Sequence, residues 1–146
     1  MKIDFVDLKR QYNTIKNEID KSISRVINNT NFILGPEVDK FEKSFAKLNK
    51  VNHCVSVANG TDSLFIILKC LGIGNGDEVI TVCNSWISSS ESISLTGAKP
   101  VFCDIYEDSL SMNTDTLEGL INSNTKAIMP VHLFGNPCDM SIIKKL

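Results

Sequence analysis

Val57-Ala58-Asn59-Gly60-Thr61-Asp62-Ser63-Leu64 is the stretch on which the reading of this chain turns. Before it runs His53-Cys54-Val55-Ser56-Val57-Ala58, apolar and rich in β-branched residues, which predicts a strand over about 53–58. After it, Leu64, Leu68 and Leu71 recur at spacings of four and three and Gly72 stands where a helix would stop, which predicts a helix over about 62–71. Asn59-Gly60-Thr61 is then a strand-to-helix turn. Such a turn aims unpaired backbone N–H groups and the positive end of a helix dipole at one point. Gly60 lets a ligand approach the backbone closely and Thr61 adds a hydroxyl donor, so the chemistry suits a phosphate or another small anion. The same residues also describe an ordinary turn, with Gly60 there for its geometry and Thr61 or Asp62 as the helix cap.

Downstream the pattern repeats. Asp77-Glu78-Val79-Ile80-Thr81-Val82 predicts a strand, about Ser85 to Thr96 a helix closed by Gly97, Pro100-Val101-Phe102-Cys103-Asp104 a strand, and about Thr114 to Ile121 a helix capped by Asn113. Lys126-Ala127-Ile128-Met129-Pro130-Val131 predicts a fourth strand, and Asp139 caps a last helix from Met140 to Leu146. Strands alternating with helices imply βαβ units and a mostly parallel sheet flanked by helices, an α/β fold. Ligands of such sheets bind beyond the carboxyl ends of the strands. That places Asn59-Gly60-Thr61, Asn84-Ser85-Trp86, Asp104-Ile105 and His132-Leu133-Phe134-Gly135 at the candidate site.

Upstream, Leu8, Tyr12, Ile15, Ile19, Ile23 and Val26 mark an amphipathic helix from about Asp7 to Asn29. Phe32-Ile33-Leu34-Gly35 connects it to a second helix that starts at Pro36 with Glu37 in its first turn, and whose expected buried face is Val38, Phe41, Phe45 and Leu48. We therefore expect one partial domain over 1–146, with N-terminal helices over about 1–50, the start of an α/β unit over about 51–146, and no boundary after about residue 30. The final helix is barely two turns with no stop signal, so the expectation is the N-terminal part of a longer protein.

Composition bounds the function class. A formal net charge of −2 gives no electrostatic reason to expect nucleic acid as a partner. No run nears the roughly 20 apolar residues of a membrane helix, and Met1-Lys2-Ile3-Asp4-Phe5 lacks a secretory core, so the expected setting is cytoplasmic with no membrane partner. Cys54, Cys70, Cys83, Cys103 and Cys138 are odd in number and widely spaced, which reads as small buried hydrophobes in a reducing compartment. With two histidines and no CxxC, no metal site is expected.

Several residues offer chemistry. Trp86, the sole Trp, follows a strand in the polar run Asn84-Ser85-Trp86-Ile87-Ser88-Ser89-Ser90; its indole would stack on a flat ring or pack at a helix start. The serines form no nucleophile elbow, since no GxSxG occurs. His132 ends a strand, as site residue or as structural hydrogen-bonding group, and Asp104 would orient a ligand or cap a turn. Gly72-Ile73-Gly74-Asn75-Gly76 precedes a strand rather than opening a helix, which argues against a nicotinamide dehydrogenase.

Taken in order, Phe32 to Val38 with Phe41-Glu42, Asn59 to Leu64, Gly72 to Ile80, Gly97 to Ile105, and Pro130 to Gly135 with Asp139-Met140 resemble the DegT/DnrJ/EryC1/StrS family. The resemblance implies the N-terminal part of a type I aminotransferase large domain and pyridoxal 5′-phosphate (PLP) as cofactor. It implies transfer of an amino group, usually from glutamate, to a keto group on a nucleotide-linked sugar, for surface polysaccharides or glycosylated products, in a homodimer. By resemblance Gly60, Thr61 and Asp62 hold the phosphate, Trp86 stacks on the pyridine ring, and Asn59, Ser85 and His132 are possible site residues. Asp4-Phe5 and the 32–35 loop resemble parts near the substrate or the dimer partner. The family's Schiff-base lysine and the acid that pairs with the pyridine nitrogen have no match here, so both are expected beyond Leu146 and this chain alone is expected to be inactive. Two other readings stay open beside this one: a non-catalytic chain that pairs with a complete subunit, and a PLP-dependent sugar dehydratase.

Overall fold

The computed structural model describes residues 5–146, so Asp4 and the other residues before Phe5 lie outside the described region. The contacts divide the chain into two compact units, one ending at Ser56 and the other starting at Val57.

The first unit is helical. Helix α1, Leu8–Asn29, starts on Asp7, whose carboxylate accepts from the Arg10 N–H at 2.9 Å, and ends at Thr30 in the left-handed region. Helix α2, Pro36–Leu48, has Pro36 at its first position and Glu37 and Asp39 in its first turn, where negative charge complements the helix dipole. Arg25 Nε donates to Glu37 Oε1 at 2.7 Å and ties the two helices. The face of α2 expected to be buried is largely exposed, with Val38 only half-buried. No residue of α1 is buried, Phe41 and Leu48 are 55% and 77% exposed, and Ala46 alone is buried in α2. A stripe is buried only against a facing layer, and periodicity specifies the stripe without supplying the layer.

The second unit is a three-stranded parallel sheet in the order β2-β1-β3, with β1 Glu78–Val82, β2 Lys99–Cys103 and β3 Thr125–Ile128. In β1, successive side chains point to opposite faces. Val79 joins a cluster with Leu68 of α3 (Gly60–Cys70) and Ile93 of α4 (Ser88–Leu95). Ile80 and Val82 join Cys103, Met112, Leu117 of α5 (Thr114–Leu117), Cys138 and Ile143 of α6 (Met140–Ile143). The sheet therefore carries helices on both faces, the α/β architecture expected. Asn113 and Asp139 cap α5 and α6 as expected.

Other expectations are corrected. Residues 53–58 form no strand; the Ser56 N–H goes to Glu42 Oε1 at 2.7 Å, because β-propensity builds no ladder without an adjacent strand. The cap of α3 is Asn59, not Thr61 or Asp62. Helix α4 begins at Ser88, because Ser85-Trp86-Ile87 forms a turn. β3 ends at Ile128, two residues short of Pro130, which has no N–H for a ladder. Residues Glu118–Leu120 tighten into a 3-10 turn, and α6 stops at Ile143. Cys103 and Cys138 are buried, but Cys70 and Cys83 are exposed and Cys54 is half-buried, since an apolar run does not say which face of an element looks inward.

Candidate functional site

Strand β1 lies between β2 and β3, so the chain leaves it to one side and returns on the other. The carboxyl end of β1 is thus the point where an open α/β sheet leaves a crevice. An open cleft of about 530 Å³ lies there, walled by Gly60 and Thr61 at the start of α3, by Ser85 and Trp86 from the β1–α4 turn, and by Ser88 and Ser89 at the start of α4. Ser63, Leu64 and Val131 complete the lining.

The first turn of α3 is set up by reciprocal capping. Asn59 Oδ1 accepts the Asp62 N–H at 2.9 Å and Asn59 Nδ2 donates to Asp62 Oδ2 at 3.0 Å. That satisfies the third N–H of the helix and leaves those of Gly60 and Thr61 with no acceptor among the described residues. A Cβ built on Gly60 meets nothing within 4 Å, so the backbone there is open to close approach. Thr61 Oγ1 and Ser88 Oγ share a hydrogen bond at 2.7 Å, and Ser85 Oγ donates to Ser89 Oγ at 2.8 Å. Two amides, a helix dipole and a group of hydroxyls form a donor set of the kind that suits a phosphate, and among the described residues no carboxylate is in the lining. Trp86 is 79% exposed beside them, presenting an aromatic face rather than packing in the core.

Of the residues singled out in the sequence, Gly60, Thr61, Ser85 and Trp86 meet in this cleft; Asn59 and Asp62 shape its edge through the cap. His132 does not line it. Its Nδ1 accepts the Cys138 N–H at 3.1 Å, which leaves Nε2 to carry the proton in the neutral ring, and its neighbour Val131 reaches the cleft instead. Asp104 Oδ1 accepts the Ile105 N–H at 2.8 Å, a local turn contact. Ser88, Ser89, Ser63, Leu64 and Val131 were not singled out. The serine run is plain in the sequence, but only the placement of α4 turns two of its members toward Thr61 and Ser85. Among the described residues no lysine lines the cleft. Lys99 pairs with Glu78 at the opposite end of the strands, Lys126 lies in β3, and Lys144 follows α6.

A parallel sheet flanked by helices, with a helix start and an exposed aromatic ring lining a cleft at its switch point, defines the class: an α/β protein of the open parallel-sheet type. The particular family follows from comparison. Residues 13–146 match the DegT/DnrJ/EryC1/StrS aminotransferase family, and the chain belongs to it. It is 42% identical over 144 residues to the UDP-2-acetamido-2-deoxy-3-oxo-D-glucuronate aminotransferase of Pseudomonas aeruginosa, an alignment that covers 99% of this chain and 40% of that protein. Among solved structures, it superposes on Streptomyces venezuelae DesV in complex with a ketimine intermediate with a TM-score of 0.95 and 39% identity, covering 98% of this chain and 38% of that one. It superposes on Bacillus subtilis NtdA with bound cofactor PMP with a TM-score of 0.92 and 30% identity, covering 99% of this chain and 33% of that one. The chain thus spans about two fifths of the length of these relatives.

Proposed function

We propose that this chain supplies the phosphate-gripping and ring-stacking part of a PLP-dependent aminotransferase. The enzyme moves an amino group from an amino acid, with glutamate as donor, to a keto group on a nucleotide-linked sugar, in amino-sugar synthesis for surface polysaccharide or glycoconjugates. The observation that carries the reading is the pairing of the Gly60 and Thr61 amides with the Thr61–Ser88 hydroxyls beside the exposed Trp86 ring. The aminotransferase relatives support it.

The residues present fit the cofactor. The α3 start and the hydroxyls of Thr61 and Ser88 would hold its phosphate, with Gly60 leaving room for close approach and Asn59–Asp62 keeping the turn in shape. Trp86 would stack on the ring and exclude water from one side. When bound, PLP supplies an electron-withdrawing ring that carries an amino group between donor and acceptor. The family's cofactor-bearing lysine and the acidic partner of the ring nitrogen are read as lying outside this sequence, so this chain alone is inactive and 1–146 is one partial domain. A homodimer in the cytoplasm is part of the same proposal.

The deciding experiment incubates the full-length protein with PLP, glutamate and UDP- or dTDP-linked keto sugars and follows the aminated sugar by mass spectrometry. An aminated product supports the enzyme reading. A full-length protein that neither binds PLP nor aminates any such sugar refutes it.

A further inference from the structure

The loops at the carboxyl ends of the three strands are fastened to one another by side-chain amides. Asn84, two residues before Trp86, donates from Nδ2 to the Leu110 carbonyl at 2.9 Å. Asn136, in the loop after β3, donates from Nδ2 to the neighbouring Ser109 carbonyl at 3.1 Å. Both acceptors are consecutive carbonyls at the tip of the loop that follows β2. That tip is itself a firm anchor. The Tyr106 N–H donates to the Ser111 carbonyl and the Leu110 N–H to the Tyr106 carbonyl, both at 2.9 Å, and Ser109 Oγ and Ser111 Oγ share a bond of the same length. At its base Ile105 bridges Met112, whose side chain sits in the core. Leu110 holds φ at +56°, a left-handed conformation that a branched side chain keeps only where its surroundings impose it.

Trp86 has no comparable anchor of its own. It is exposed, and among the described residues its ring nitrogen makes no hydrogen bond. Its position is therefore set through the backbone of its turn. On the downstream side the Ser89 N–H donates to the Trp86 carbonyl at 3.1 Å and Ser85 bonds Ser89. On the upstream side the half-buried Asn84 amide is the tether, and it reaches across 26 residues to an element built from a different strand.

We infer that Asn84 is a positioning residue for Trp86: by tying the β1–α4 turn to the Ser109–Leu110 tip, it holds the indole where it can cover a flat ligand ring in the cleft. The inference rests on the reading of that cleft as the PLP site.

Because Trp86 is the sole Trp of the chain, its fluorescence reports on this turn without labelling. Asn84→Asp keeps the shape of the side chain but replaces the donor with an acceptor; Asn84→Leu keeps the volume and removes the donor. Each is made in the 146-residue chain, the second serving if circular dichroism shows the first to be unfolded. The expected result is lower Trp86 anisotropy and stronger acrylamide quenching in the ligand-free chain, with unchanged far-ultraviolet dichroism. PLP binding, followed by quenching of the same residue, should weaken about two- to tenfold, the span one hydrogen bond commands. Unchanged anisotropy and unchanged quenching in a folded variant overturn the inference. If the unsubstituted chain and the full-length protein bind no PLP while the variants still loosen Trp86, the cofactor reading falls and the tether stands.

Discussion

Thr61 and Ser88 share a hydrogen bond of 2.7 Å between the first turns of α3 and α4, although 27 residues separate them in the chain. The bond joins the two helix starts that face one cleft. It also fixes two hydroxyls near the Gly60 and Thr61 amides, one hydroxyl hydrogen being used in the bond itself, and these are the groups the proposed phosphate would meet.

Removing either hydroxyl should weaken phosphate binding without unfolding the chain. For Thr61→Ala or Ser88→Ala the expected loss of PLP affinity is about ten- to a hundredfold, the worth of one hydrogen bond to a charged group, while Thr61→Ser keeps most of it. Gly60→Ala belongs to the same series, since an added Cβ meets no protein atom within 4 Å yet sits where a phosphate must approach. Equilibrium dialysis against PLP, with inorganic phosphate as competitor, measures all of them.

Trp86→Ala separates binding from folding. The side chain is 79% exposed, so the urea midpoint should move by no more than about 0.5 kcal/mol equivalent. Loss of ring stacking should cost roughly 0.5–1.5 kcal/mol of cofactor affinity, and Trp86→Phe should restore part of it. A large fall in stability would instead mean that the indole packs as core.

Acid should loosen the amino-terminal edge of the sheet through Glu78. Asn122 Nδ2 donates to its carboxylate at 2.8 Å and Lys99 Nζ at 2.9 Å, and these hold the Glu78 carboxyl below the usual carboxylate range. A group lowered by folding contributes stability that is present above its unfolded pKa and lost as pH falls through its folded one. Urea midpoints of the parent chain should therefore fall from the ordinary carboxylate range downward, and Glu78→Gln should show a shallower fall over the same window.

Gly97→Ala should destabilise the second unit by about 1–2 kcal/mol or more. Gly97 holds φ at +92°, where a side chain is strained, and its added Cβ would overlap Asn75 Oδ1. Gly119→Ala, with nothing near its Cβ and no such φ, is the matched control and should be neutral or slightly stabilising. Chemical denaturation of the two variants tests the pair.

The cysteines should divide by burial when a thiol reagent is added. Cys70 and Cys83 are exposed and should react first; Cys103 and Cys138 are buried, and burial pushes the Cys103 thiol up, away from the reactive thiolate. Mass spectrometry of partly labelled chains should find label on Cys70 and Cys83 before either buried site, and all five labelled after unfolding.

The sequence by itself determined what is local. The spacing of Leu64 and Leu68, the stop at Gly72, and the caps Asn113 and Asp139 act within a few residues of themselves, so helices and parallel strands were legible, and so was a helix start at Gly60-Thr61. Its ordered motifs also carried the family. Burial and assembly were decided only in three dimensions. Most of the α1 and α2 stripe residues remain exposed, with Ile19, Val26 and Val38 half-buried, and 53–58 forms no strand, because a buried face and a strand each need a partner that the segment does not encode. The meeting of Thr61 with Ser88, the diversion of His132 to the Cys138 amide, and the tether from Asn84 to Leu110 join residues far apart along the chain or across a turn. Such contacts are fixed by where the sheet order β2-β1-β3 brings its loops, and periodicity along a chain holds no record of that order.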